Sequence, residues 1–329
     1  MKKIVFMIFL TGFLCSCHKV AHYSSYDEYP VYNGSDLELT YTPQASFFRV
    51  WAPTASHVKL LLYDDGENGS AYKIYDMKHA ENGTWKLKIK KDLKGKFYTF
   101  QVKINDKWLD ETPGMWVKAT GVNGKRAAII DFSETNPSGW KNDQRPPLKN
   151  QADAIIYEVH LRDFSVSPNS GIKNKGKFLA FTEHSTKNQF GEATGIDHLK
   201  ELGITHVHLL PVFDFASIDE TKLSENKYNW GYDPLNYNVP EGSYSTNPYD
   251  PTVRIREFKQ MVQSLHQSGI RVIMDVVYNH TFTGENSHLN LLVPGYFYRM
   301  NPDSTWSNAT GCGNETASER PMMRKFIVE

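Results

Sequence analysis

Two short stretches concentrate the residues that could do chemistry. RVIMDVVYNH (271–280) is apolar except for its basic first residue, Asp275 in its middle and Asn279 and His280 at its far end. YNWGYDP (228–234) sets Trp230 and Tyr232 two residues apart, with Asp233 beside them. In a parallel barrel the side chains that do chemistry stand at the carboxyl ends of strands and in the loops that follow, which is where Asn279 and His280 fall. Taken alone, a histidine there is ordinarily a hydrogen-bonded loop residue. Asp275, midway along the apolar run, reads as structural. An unpaired buried carboxylate would cost several kcal/mol, so it should bond barrel backbone or neighbouring basic groups. His160, His206 and His208 also lie in apolar runs. His206 and His208 would share a face, but no third ligand stands at helix spacing, so interior positions are expected and not a metal pair.

The elements that must position these groups follow from periodicity. AIIYEVHL (154–161), THVHLLPV (205–212) and RVIMDVV (271–277) are near-continuous apolar runs, and the last two follow helical stretches ending in Leu202-Gly203-Ile204 and Ser268-Gly269-Ile270. Glycine there suits the left-handed residue just past a helix end. Phe258, Met261, Val262 and Leu265 recur at i, i+3, i+4, i+7, one buried stripe of a helix. Repeated strand, loop and helix units with such strands predict a parallel sheet covered by helices. Before them, from about Leu37 to Phe132, the period is two: Tyr98, Phe100, Val102 and Ile104 alternate with polar residues, as do Trp85, Leu87 and Ile89 with lysines. Asn82-Gly83 suits a tight hairpin. Several short strands at roughly ten-residue spacing predict a β-sandwich.

The remaining segments complete the domain plan. Lys2 and Lys3 precede an apolar run from Ile4 to Leu14, too short to span a bilayer and the right length for a signal-peptide core. Residues 1–16 are read as a lipoprotein signal, 17–36 as a polar, Tyr-rich tether, 37–132 as the sandwich, 133–151 as a linker, and 152–329 as the helix-covered parallel sheet. With 37 basic and 37 acidic side chains among 329 residues, nothing points to nucleic acid. The run from Lys86 to Lys91 is read as an exposed strand face. If Cys15 leaves with the signal and Cys17 is acylated, Cys312 is the one thiol left and no disulfide can form.

These motifs carry a resemblance. MDVVYNH resembles the third-strand signature of the α-amylase superfamily of glycoside hydrolases (family 13), and YNWGYDP resembles the hallmark of type I pullulanases within it. YEVHLRDFS (157–165) is similar to the first strand of debranching enzymes, GCGNETASERPMMRKFIVE (311–329) to the segment leading into the helix after strand three, and FRVWAP (48–53) to the start of the family-48-type carbohydrate-binding module that precedes their barrels. LCSC (14–17) resembles a bacterial lipobox, with Cys17 as the acylated residue. The resemblance implies a multidomain chain: an immunoglobulin-like sandwich followed by about three units of a (β/α)8 barrel. It implies that His280 hydrogen-bonds sugar hydroxyls, that Tyr232 is the platform beneath the sugar, and that Asp233 bonds hydroxyls or anchors its loop. Asn279 could orient the loop, touch substrate or, as in some relatives, help bind calcium. Trp230 could face the ligand or pack the loop onto the barrel, and Tyr228 and Tyr237 read as packing residues. A sugar offers an apolar face and a rim of hydroxyls, so a flat aromatic beside fixed polar groups suits it.

What the resemblance implies about catalysis lies elsewhere. Retaining glycosidases need a carboxylate nucleophile and an acid about 5 Å apart; in this family they follow strands four and five, with a third carboxylate after strand seven. No such stretch occurs here, and nothing in the spacing of Glu158, Asp214 or Asp233 argues that they substitute. The expectation is the N-terminal part of a pullulanase hydrolysing α-1,6 links of pullulan, starch or glycogen, without turnover by these 329 residues. No cofactor is implied beyond the open question of calcium. The partners implied are an α-glucan and, through the lipid, a membrane of the bacterial cell envelope. The alternatives are a non-catalytic glycan-binding lipoprotein, or an isoamylase or branching relative, against which YNWGYDP argues. Proline and the N-cap residues Thr316 or Ser318 place a final helix, with Pro321 third from Ser318 and Met322, Met323, Phe326 and Ile327 buried.

Overall fold

The computed structural model describes residues 22–329; Cys17 and the apolar run before it lie outside them. Strands β1 (Glu38–Thr42), β2 (Ala45–Trp51), β3 (His57–Tyr63), β4 (Lys73–Asp76), β5 (Lys78–His79), β6 (Thr84–Ile89), β7 (Phe97–Ile104), β8 (Lys107–Trp108) and β9 (Ala127–Ala128) make two antiparallel sheets. Their orders are β1-β2-β6-β5 and β4-β3-β7-β8, with β9 on β7. The alternating residues do what their period requires: Phe48, Val50, Trp85 and Ile89 from one sheet face Val58, Leu60, Tyr98, Phe100 and Val102 from the other in one core. Asn82 and Gly83, both at positive φ, turn β5 into β6.

The second half contributes the parallel sheet β10 (Ile156–Val159), β11 (His206–Leu209) and β14 (Arg271–Met274), in that order and in register His206 to both Ile156 and Arg271. Helices α1 (Gly195–Glu201) and α2 (Pro251–Gln267) cross back between the strands, and Gly203 and Gly269 take left-handed φ of 70° and 81° at their ends. Val207, Leu209, Met261 and Leu265 share a core beneath these helices, with Phe258 and Val262 against it. The opposite face therefore holds Glu158, His206 and His208, the inside of a barrel that three strands do not close. Between β11 and α2 an antiparallel hairpin, β12 (Phe213–Phe215) and β13 (Pro234–Pro240), leaves the sheet; its long connection, 216–233, contains YNWGYD, and the proline that follows opens β13. Helices α3 (His288–Leu292) and α4 (Pro321–Val328) follow β14. No helix among the described residues is long and apolar enough to cross a membrane.

Several expectations are corrected. Residues 22–36 are not a free tether over their described length: Tyr29 stacks on Tyr296 at 5.3 Å, the Tyr26 ring lies under the Arg320 guanidinium at 4.1 Å, and the Pro30 carbonyl accepts from the Trp51 indole at 3.0 Å. Aromatic area that water would otherwise wet is thereby covered. Nor is 133–151 a loose linker. It lies along α2, with Lys259 donating to Thr135 and Asn136 at 2.7 Å, Gln263 to the Ser138 carbonyl at 3.1 Å, and His266 paired with Asp143 at 2.7 Å. The N-cap of α4 is Arg320, which puts Pro321 at the first helical position, where its missing N–H costs nothing. Arg320 is held there by bonds to the carbonyls of Gly295, Tyr296 and Tyr298. The two halves also share a core, because Tyr237, Leu289, Tyr296, Met322 and Phe326 join the sandwich cluster.

A buried carboxyl group marks that junction. Glu38 reaches under Trp116, whose amide donates to Oε1 at 3.2 Å, while Oε2 has no partner and occupies the space a side chain at Gly114 would need. Burial pushes its pKa up to about 8 against the bonds from Trp116 and Met115. Trp116 in turn packs edge-on against Phe326 of α4 at 5.5 Å.

Candidate functional site

The 216–233 connection folds into a fixed shape because its own side chains close its turns. Asn229 Oδ1 accepts from the Gly231 amide at 2.8 Å, and Gly231 sits at φ 91°, where any Cβ would strike Pro211 at 2.8 Å. Asp233 is used up on this loop: its Oδ2 accepts from the Ser217 amide at 2.8 Å and from the Ser217 hydroxyl, and Oδ1 from Asn229 Nδ2 at 2.8 Å. Of the two roles the resemblance allowed, the contacts are those of the anchor. His160, at the end of β10, supports the same loop from below through the Asn229 carbonyl at 2.9 Å, with the Tyr228 ring 4.7 Å from its own.

Tyr232 bridges this loop to the end of β14. Its hydroxyl donates to Asp275 Oδ2 at 2.7 Å, and its carbonyl meets His280 Nε2 at 2.9 Å. A carbonyl can only accept, so Nε2 donates to the Tyr232 carbonyl, and on the other side of the ring Nδ1 lies 2.7 Å from Asn279 Oδ1. The Tyr237 hydroxyl donates to the His280 carbonyl. His280 is 6% exposed, so both ring nitrogens are satisfied within the protein. Asp275 differs from its expected place. It lies one residue past β14, its amide bonded to the Leu209 carbonyl, and among the described residues no lysine or arginine pairs with its carboxylate. The nearest titratable ring is His208, 3.9 Å away, which also faces Glu158 at 3.6 Å. Burial, and then the bond to Asp275, raise the Tyr232 pKa well above its ordinary value, so the phenol keeps its proton. Trp230, for which ligand and packing were both open, is 61% exposed and does not pack onto the sheet.

The structure thus gathers Tyr232, Asp275, Asn279 and His280 at the carboxyl end of β14, with Asp233 holding their loop and Trp230 projecting outward. A half-buried aromatic clipped at both ends, next to polar groups on a rigid strand end, is suited to hold a hydroxylated ring by stacking and hydrogen bonds. The arrangements that sequence reasoning missed are the Glu158–His208–Asp275 row, in which His208 stands directly opposite Glu158 and reaches Asp275 just past the end of β14, and a buried cluster on the β12–β13 side. In that cluster Asp214, Glu220 and Glu241 bring oxygens within 4.8 Å of one another. Arg254 of α2 donates to Glu220 at 2.7 Å and pairs with Asp214 at 3.4 Å. The positive charge such carboxylates call for is therefore built in, and the cluster fits a clamp better than a cation site. Asn123 of the sandwich bonds Glu220 in both directions at 2.8 Å, so the clamp ties the halves together. Asn279, the residue considered for calcium, faces His280 and is not among these ligands.

Comparison with known proteins agrees with this layout. Residues 36–116 match the family described as carbohydrate-binding module 48 (isoamylase N-terminal domain), and 131–289 match the α-amylase catalytic domain. A pullulanase of Bacillus subtilis (strain 168) is 43% identical over 306 residues, covering 93% of this chain and 41% of that protein. The chain belongs to the pullulanases of the α-amylase superfamily. Among solved structures of the family, a Paenibacillus barengoltzii pullulanase in complex with maltohexaose and α-cyclodextrin superposes with a TM-score of 0.90 at 52% identity, covering 92% of this chain and 47% of that one. A maltotriose complex of the Anoxybacillus sp. LM18-11 pullulanase gives 0.87 at 40% identity, covering 93% and 43%. The chain therefore spans less than half the length of these pullulanases, their N-terminal portion, with the sandwich followed by the opening β/α units of the barrel.

Proposed function

We propose that this chain is the glucan-gripping N-terminal part of a pullulanase-type debranching hydrolase, acting on α-1,6 links of pullulan, starch or glycogen. The observation that carries the reading is the Tyr232 ring held between Asp275 and His280 at the strand end. Tyr232 offers its face to the apolar side of a glucose ring. Asn279 and His280 supply the polar rim, a sugar hydroxyl replacing Asn279 Oδ1 beside His280 Nδ1 when ligand enters. Trp230 extends the platform outward. Hydrolysis with retention needs a nucleophile and an acid about 5 Å apart. Asp233 and Asp275 are both committed to hydrogen bonds, so that pair is assigned to barrel strands beyond β14. The reading calls for no cofactor. It also includes acylation at Cys17 and a place in the bacterial envelope, testable by lipid labelling that a Cys17→Ala chain should lose.

The test of activity is reducing-sugar release from pullulan. The 329-residue chain should bind maltotriose and release nothing, whereas a polypeptide continuing through the later barrel strands, to the length of the relatives, should hydrolyse pullulan. Turnover by the shorter chain, or a longer one inactive on α-1,6 links, would overturn the proposal.

A further inference from the structure

The outer face of the β1-β2-β6-β5 sheet carries a charge arrangement that folding alone does not favour. Arg49 of β2 lies directly opposite Lys86 of β6, and Lys86 directly opposite Lys78 of β5, so three cations stand side by side across three strands. Like charges so placed repel. Lys88 continues the row along β6, and the exposed Lys90 follows just past the strand's end. Two acids answer them: Asp36 at 3.0 Å and Glu81 at 2.8 Å from Arg49, the latter also 3.8 Å from Lys86. Among the described residues Lys78, Lys88 and Lys90 have no recorded acidic partner within 4 Å. In the middle of the face Phe47, directly opposite Lys88, is 40% exposed, with that ammonium 4.6 Å above its ring. Phe47, Arg49, Lys78, Lys86 and Lys88, with Asp36, line a shallow cleft of about 400 Å³. In a chain whose formal charges cancel, this is segregation of charge onto one face.

We propose that this sandwich face docks on an anionic lipid bilayer, its lysines reaching phosphate headgroups and Phe47 entering the interface between them. The face is a flat sheet surface. Long lysine stems can lie along it while their ammonium groups meet a plane of phosphates, and an aromatic ring among them suits the boundary between headgroup and acyl chain. Compact, hydrated ammonium groups act as point charges and read no sequence, which favours a fluid anionic surface over the bidentate or stacked recognition of a nucleic acid. The chain also enters the sandwich through Asp36, at the edge of this cleft, so a membrane-directed N-terminus would hold the face near its surface. Docking needs neither the glucan site nor acylation.

The experiment is flotation of the full Cys17→Ala chain with vesicles of phosphatidylcholine alone or containing about 30% phosphatidylglycerol. Aggregates do not float, and the neutral vesicles report whatever the apolar N-terminus contributes. Binding to the anionic vesicles should exceed binding to the neutral ones by at least tenfold and collapse in roughly 0.5 M salt. The triple variant K78E/K86E/K88E should bind on the order of a hundredfold more weakly, at about fivefold for each lysine near the surface. It makes the contact between Arg49 and position 86 attractive and leaves positions 78 and 86 like-charged as before, all on an exposed face, so it should fold; K78Q/K88Q, with about a 25-fold loss expected, is the milder check. Equal flotation with both vesicles, none with the anionic ones, an unaffected triple variant, or tighter binding to single-stranded DNA than to vesicles would each overturn the assignment.

Discussion

Glu38 allows a stability prediction with its sign and size fixed by position. Its carboxyl is fully buried in the sandwich, with one oxygen bonded to backbone amides and the other without a partner against Gly114. Its pKa is about 8 against an ordinary 4.5, so between those pH values the folded chain holds a proton that the unfolded chain has lost. Stability due to this group is thus highest below pH 4.5, falls by about 1.4 kcal/mol per pH unit as pH rises, and levels off above 8. At pH 7 the loss is roughly 3 kcal/mol. Glu38→Gln keeps the oxygen that accepts from Trp116 and removes the titration. It should therefore match the parent near pH 4.5 and exceed it by roughly 3 kcal/mol at pH 7, read from urea unfolding of both chains across that range. Equal stability at pH 7, or a difference that does not change with pH, would refute the reasoning.

Replacing Arg254 with Met leaves Asp214, Glu220 and Glu241 without their shared cation and should cost about 3–5 kcal/mol. Burial, and then the Glu220 charge, push Asp214 up to about 7 even with the arginine present, so the loss should be larger at pH 8 than at pH 5, as urea unfolding would show. Trp230→Ala should change stability by less than about 0.5 kcal/mol, because the side chain is exposed. The same change should weaken maltohexaose binding by ~1 kcal/mol, about fivefold, in titration calorimetry.

The legible parts of the molecule were those written in local pattern. Alternation from Leu37 to Phe132, the helical stripe of Phe258 to Leu265 and the three apolar runs each depend on neighbours in sequence, and they formed the sandwich strands, α2 and β10, β11 and β14. Asn279 and His280 lie in the loop that follows β14, a position that the end of an apolar run marks locally. What escaped was long-range. That residues 22–36 lie on Tyr296 and Trp51 depends on a partner nearly 270 residues away, and their polar, Tyr-rich composition reads as a tether until that surface exists. Asp275 seemed to require burial because its run is apolar, but β14 ends at Met274 and the next side chain turns to the rim. Arg254, one turn before Phe258 on the buried face of α2, gave no sign that Asp214 and Glu220 would close over it. Nor did the two histidines of THVHLLPV announce that His208 would stand between Glu158 and Asp275.

The most direct measurement is maltotriose affinity of this chain and of its Tyr232→Ala and Tyr232→Phe variants, by calorimetry at neutral pH. If the clipped ring is the sugar platform, alanine should abolish measurable binding, and phenylalanine, which keeps the ring but loses the 2.7 Å bond to Asp275, should retain a weaker affinity. A Tyr232→Ala chain that binds maltotriose as tightly as the parent, with its fold intact, would contradict the assignment of this strand end as the glucan site.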